Sequence, residues 1–198
     1  MTTLDLAKAS LADVRADLSA RTARGINAIV AGIGLWTLFT ILGIVLRSEF
    51  VLALCYVFGS GLLFPLSLVV ARWMRIDTFA KGNPLGPLAG VNGAVQILFI
   101  PLMLGAVFFI PTAVPWFLAV LVGAHFLPYA WLYSSRAYVV ASVAIPVVAG
   151  LIGILTPFIL PELATLIVPI AAPAAVVVIL AIVAAMLVKE NRADAIVR

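Results

Sequence analysis

One imidazole, His125, stands inside an otherwise apolar stretch, and tyrosines follow it at positions 129 and 133. Spacings of four place His125, Tyr129 and Tyr133 on one helical face. Upstream, Asn92 and Gln96 form a second pair at the same spacing. An imidazole titrates near neutral pH, so it can relay a proton or bind a ligand, and a carboxamide beside it can donate or accept. The plainer alternative is a neutral imidazole bonded to one neighbouring helix, with the amides acting as fastenings between helices. Ser67 is a further polar side chain that could join the group. His125, Gln96, Tyr129, Asn92 and Ser67 are therefore the candidate ligand- or ion-binding residues. No catalytic residue, metal site or cofactor is assigned.

The elements that must position them follow from hydropathy. Between Gly25 and Val188 there are six apolar stretches with no Asp, Glu, Lys or Arg in their interiors. A helix needs about 20 apolar residues to cross roughly 30 Å of hydrocarbon, and runs this continuous satisfy their backbone there as helices. The expected fold is all-α: a six-helix transmembrane bundle preceded by a cytoplasmic amphipathic helix. The domains are 1–24 (amphipathic helix), 25–188 (spans at about 25–46, 51–70, 88–110, 116–133, 137–160 and 164–188) and 189–198 (cytoplasmic tail). His125 would lie about 13 Å from the outer end of the fourth span at 1.5 Å per residue. An ionised group at that depth costs several kcal/mol against lipid, so it should face the bundle or a wet cavity. The tight turn Pro111–Pro115 makes spans three and four antiparallel neighbours, which brings Asn92, Gln96, His125 and Tyr129 together in the cytoplasmic half.

Composition limits the function classes. The 198 residues are 65% hydrophobic and 10% charged, with mean hydropathy +1.27. No connection is long enough to bury a core of its own. A net charge of +4 would suggest nucleic acid in a soluble chain, but these cations flank spans, so the expected partners are membrane lipids, with anionic headgroups among them, and not nucleic acid. Eleven of the twelve Lys and Arg residues fall at the N-terminus, in alternate connections or in the tail, and only Arg47 lies elsewhere. That bias predicts both termini in the cytoplasm. The single Cys55 excludes an intrachain disulfide, and one His allows a bis-histidine haem only across a dimer. At the N-terminus, Leu4, Ala7, Leu11, Val14 and Leu18 form an apolar stripe, with Thr2 and Asp5 as a capping pair. The stripe lacks Trp and Phe, so lying along the bundle or pairing with another helix is expected over deep insertion, with a solvated amphipathic tail as the default reading, and no cleavable signal peptide is expected. Prolines occur inside spans two to six, and Ala28 with Gly32 and Ala149 with Gly153 permit close helix approach.

Ser60 and His125 fall at matching depth in two parallel helices. The pair resembles the Ser–His dyad of rhomboid-type intramembrane proteases. However, Phe58 stands where that family's Gly-x-Ser-Gly motif has its first Gly, and its Trp-Arg loop is missing. An intramembrane serine hydrolase is therefore a remote alternative, and the protein is not expected to be an enzyme.

Three segments together resemble a family of small bacterial polytopic integral membrane proteins of unknown function: Gly59-Ser60-Gly61-Leu62-Leu63-Phe64-Pro65, Asn83-Pro84-Leu85-Gly86, and Gly123-Ala124-His125-Phe126-Leu127-Pro128-Tyr129-Ala130-Trp131-Leu132-Tyr133. The resemblance covers about residues 10–140 and implies a bacterial inner-membrane protein, with no activity attached. From the residues themselves, the expectation is a transporter or channel-like protein with a cytoplasm-facing polar cavity around His125. It would handle a small solute or ion, as a homo-oligomer. The alternative is a non-catalytic membrane scaffold or accessory subunit.

Overall fold

The computed structural model describes residues 9–197, and every regular element among them is helical. In chain order these are α1 (Leu11–Thr22), α2 (Ile26–Val45), α3 (Glu49–Ser60), α4 (Leu63–Met74), α5 (Gly86–Ala94), α6 (Ile100–Phe109), α7 (Val114–Ala124), α8 (Leu127–Leu132), α9 (Arg136–Ile159) and α10 (Ala164–Val197). Five helices are long and apolar enough to cross a membrane, and six if α3 and α4, bent by 49°, count as one span. Arg24 and Asp194 touch, so the segment before the first span and the end of the last meet at one end of the bundle, as an even number of crossings requires. Residues 189–197, read from sequence as a tail, continue α10 as helix. Leu4, Ala7 and the Thr2–Asp5 pair lie outside the described residues.

Proline chemistry explains where the spans break. Pro65 and Pro128 have no N–H, so the helix cannot bond back to Gly61 and Ala124. Just before each proline the chain tightens: Leu62 N–H donates to Gly59 O, and Phe126 N–H donates to Gly123 O. Gly59–Pro65 and Gly123–Pro128 thus take the same shape. The third span, with Pro101, tightens in the same way over Val95–Phe99, which is 3-10 helix.

The core forms around α10, which packs on α2, α9 and α7. Pro173 leaves the carbonyl of Pro169 without its helical donor, and the Tyr56 hydroxyl supplies one at 3.0 Å. The Tyr56 ring stacks on Phe39 at 4.4 Å. A Cβ on Gly43 would collide with that same Pro169 carbonyl, so glycine sets how closely α2 approaches α10. Gly153 likewise seats Trp116, and Gly123 seats Pro146. The third span is peripheral: α5 and the 3-10 stretch bury no residue, and α6 buries only Met103, Ala106 and Val107.

α1 starts with a capping box, in which Ser10 Oγ accepts from Asp13 N–H and Asp13 Oδ2 accepts from Ser10 N–H. It lies against the bundle and buries Val14 and Leu18. Arg15 donates to the Trp131 carbonyl, and its guanidinium sits 4.8 Å from the centroid of that indole. Asn83 Nδ2 donates to Val14 O and Asp17 Oδ2 at 2.9 and 2.8 Å. Between α1 and α2 three consecutive residues, Ala23, Arg24 and Gly25, have φ of 47°, 55° and 69°. Such geometry costs roughly 1–2 kcal/mol per non-glycine residue, so its partners must hold it in place.

Candidate functional site

The helix break at His125 sets the site's geometry. His125 Nδ1 donates to Val122 O at 2.7 Å. That carbonyl is free because Phe126 N–H, its helical partner, has turned to Gly123 O. The amide nitrogen of Gln96 lies 3.1 Å from each ring nitrogen. With the Nδ1 proton already committed to Val122, Nε2 is the acceptor for Gln96. Tyr129 N–H bonds to Phe126 O, which leaves the His125 carbonyl open, and Asn92 Nδ2 donates to it at a long 3.4 Å. The Tyr129 hydroxyl donates to Ala89 O at 3.0 Å, and its ring stands edge-on to the imidazole at 5.5 Å. Asn92, Gln96, His125 and Tyr129 therefore form one cluster, tying α5 and the 3-10 stretch to α7 and α8. All of them are half-buried.

Ser67 lies elsewhere. Its hydroxyl donates to Phe64 O, and its carbonyl accepts from Asn27 Nδ2 at 3.1 Å, so it faces the first span. Ser60 Oγ donates to Val57 O at 2.6 Å and makes no bond to His125. Beside the cluster, Ser60, Gln96, Phe99, Met103 and Val122 line a cavity of about 20 Å³. That is room for one water and too little for a solute. Among the described residues no three His, Cys, Asp or Glu side chains gather into a metal-holding group.

From the cluster an aromatic column leads to the charged end of the bundle. Tyr129 stacks on Tyr133 at 5.9 Å, and Tyr133 on Tyr138 at 5.6 Å. Tyr138 OH donates to Arg24 O at 2.6 Å. Arg24 is itself buried, and its guanidinium donates to Asn191 Oδ1 and Asp194 Oδ2, both at 2.6 Å, with Glu190 at 3.6 Å. Asn191 Nδ2 donates to Ala23 O at 3.1 Å. These bonds hold the left-handed turn against its backbone cost. Glu190 Oε1 accepts from Arg136 and Ala137 N–H, so α10 caps α9, where Ser135 makes no side-chain cap. Sequence reading missed this node because it treated Lys189–Arg198 as a tail. The readable signal was Glu190, Asn191 and Asp194 sharing a face, had the last helix been extended. At the same end Arg21 pairs with Asp77 at 2.5 Å. Partial burial alone would raise the Asp77 carboxyl, but the hydrogen bond and charge of Arg21, with the N–H groups of Phe79 and Ala80, hold it below the usual carboxylate range.

The chain has no match among curated proteins or solved structures. Over residues 11–190 it matches one family model, most of its length, and it is therefore a member of the family of unknown function DUF7010.

Proposed function

We propose that this multi-pass protein is a small transporter or channel-like protein for a small solute or ion. It would work from a site at Gln96, His125 and Tyr129 that opens to the cytoplasm. We place it in the bacterial inner membrane with both termini cytoplasmic, on the bias of its Lys and Arg residues, and as a homo-oligomer, since one copy of this size offers little room for a pathway. The reading rests on one observation: the only imidazole in the chain is paired with Gln96 across two helices at a break in each span. A carboxamide can rotate to donate to a neutral ring or to accept from an imidazolium, so the pair accommodates either protonation state. A water-sized cavity adjoins Gln96, and the third span that closes the site is sparsely buried and thus the element best able to move.

The test is reconstitution of the purified chain into proteoliposomes with a pH-sensitive dye inside, under an imposed proton or cation gradient. Loss of flux in His125→Leu, with the thermal transition retained above the assay temperature, supports the site. A wild-type chain with no flux for any cation, proton or small neutral solute overturns it. A scaffold or accessory subunit is the second reading. It is favoured by the internal partners that Asn92, Gln96, His125 and Tyr129 all find. It predicts that His125→Leu lowers stability in detergent and changes nothing else. A Ser60–His125 hydrolase has no such support, because the Ser60 hydroxyl and both ring nitrogens bond elsewhere.

A further inference from the structure

A groove of about 430 Å³ lies where α4 runs into the following loop, lined by Leu68, Val69, Arg72, Ile76, Thr78 and Phe79, with Ala71 and Asp77. It is distant in kind from the His125 cluster, being open, at the charged end, and walled on its outer side by apolar groups. Of the lining residues Val69 is 65% exposed and Phe79 64%, and Trp73, next to Arg72 in the chain but outside the lining, is 80% exposed. In a membrane protein such side chains contact lipid, and a Trp at the end of a span marks the headgroup level.

The charge inside the groove is unbalanced. Asp77 is its one acid, and it is already engaged: Oδ2 with Arg21, and Oδ1 with the N–H groups of Phe79 and Ala80 at 3.2 and 3.1 Å. Arg72 has no ion-pair or hydrogen-bond partner for its side chain among the described residues, and neither does the Thr78 hydroxyl. Arg75 and Lys81 follow on the same connection and add to the positive field. A forked guanidinium and a hydroxyl at the mouth of an apolar groove, at the level where phosphates lie, complement a phosphodiester that carries hydrocarbon below it.

We infer that this groove binds one anionic phospholipid, its phosphate held by Arg72 and Thr78 and its glycerol and upper acyl chain lying against Leu68, Val69, Ile76 and Phe79. The site does not depend on the transport reading, since no residue is shared with the His125 cluster.

Native mass spectrometry of the full chain released from nanodiscs of equal phosphatidylglycerol and phosphatidylcholine tests this directly. The wild-type protein is expected to retain one phosphatidylglycerol in preference to phosphatidylcholine. Removing one interfacial cation should cut that preference about fivefold, so Arg72→Gln is expected to lose it and Arg72→Lys to keep part of it. Arg47→Gln, at the opposite end, should leave it unchanged. Arg72 is exposed and unpaired, so a native thermal transition is expected in each variant. Equal retention in wild type and Arg72→Gln overturns the inference, as does equal loss in Arg47→Gln. Displacement of the lipid by millimolar inorganic phosphate would also overturn it, by showing a site for phosphate alone.

Discussion

Replacing His125 with leucine keeps a side chain of similar bulk and deletes two hydrogen bonds. The imidazole is the partner of Val122 O at 2.7 Å and of the Gln96 amide at 3.1 Å. Neither has a substitute nearby, because Phe126 N–H is committed to Gly123 O and leucine offers no acceptor. Orphaning a buried polar group costs about 1–3 kcal/mol in general, but hydrogen bonds in membrane helices average about 0.6 and reach about 1.7 kcal/mol. The half-buried setting favours the smaller values, so the expected loss is about 2 kcal/mol for both bonds. At about 2–4 °C per kcal/mol for a chain of this size, the thermal midpoint in detergent should fall by about 4–8 °C. Gln96→Leu alone should cost about 1 kcal/mol. The two losses must not add: once the ring is gone, Gln96→Leu removes an amide that is already orphaned, so the double variant should be no less stable than His125→Leu. A cycle measured by thermal unfolding should therefore give a coupling near 1 kcal/mol. Strict additivity would refute the Gln96–His125 bond and the cluster built on it.

Tyr56→Phe should cost about 1 kcal/mol by leaving Pro169 O without a donor, and Pro173→Ala, which restores the helical N–H to that carbonyl, should shrink this cost in the same unfolding assay. Gly153→Leu should destabilise by about 1–3 kcal/mol or more, because the new side chain must displace the Trp116 ring, and tryptophan fluorescence should shift with it. Arg24→Ala leaves Glu190 and Asp194 without their cation, while the left-handed turn keeps the bonds of Tyr138 and Asn191 to its carbonyls. The expected cost is about 2 kcal/mol, below the 3–5 kcal/mol of a fully buried pair because Asp194 reaches solvent, and limited proteolysis should cut the end of α10 sooner. The Asp77 carboxyl is held low by Arg21, so its contribution to stability is complete above the ordinary carboxyl pKa of about 4 and is lost as pH falls through the lower folded value. Hydrogen exchange of the α4–α5 loop should rise below about pH 4 in the wild type, and this acid step should vanish in Asp77→Asn.

Much of this was legible in the chain itself. Six uncharged apolar runs demand helices, since an unpaired backbone is intolerable in hydrocarbon, and helices do occupy these runs, although the last continues past Val188 to Val197. A five-residue turn lays spans three and four side by side, so a gathering of Asn92, Gln96, His125 and Tyr129 could be expected from the chain, but helical pitch sets Gln96 level with Tyr129 and His125 one turn deeper, and the Gln96–His125 contact itself is a product of the packing. Periodicity could not say which face each span turns inward. Ser67 had the right depth but faces Asn27, a matter settled by how α2 and α4 pack. Nor could it show that Pro173 frees the carbonyl that Tyr56 takes, or that Arg24 is buried against Asn191 and Asp194 across the whole length of the chain. Hydropathy is a property of each segment and survives in the sequence. Which polar atoms meet depends on the rotation and crossing of packed helices, and those are decided by small contacts, Gly43 on a carbonyl or Gly153 under an indole, that exist only once the bundle has closed.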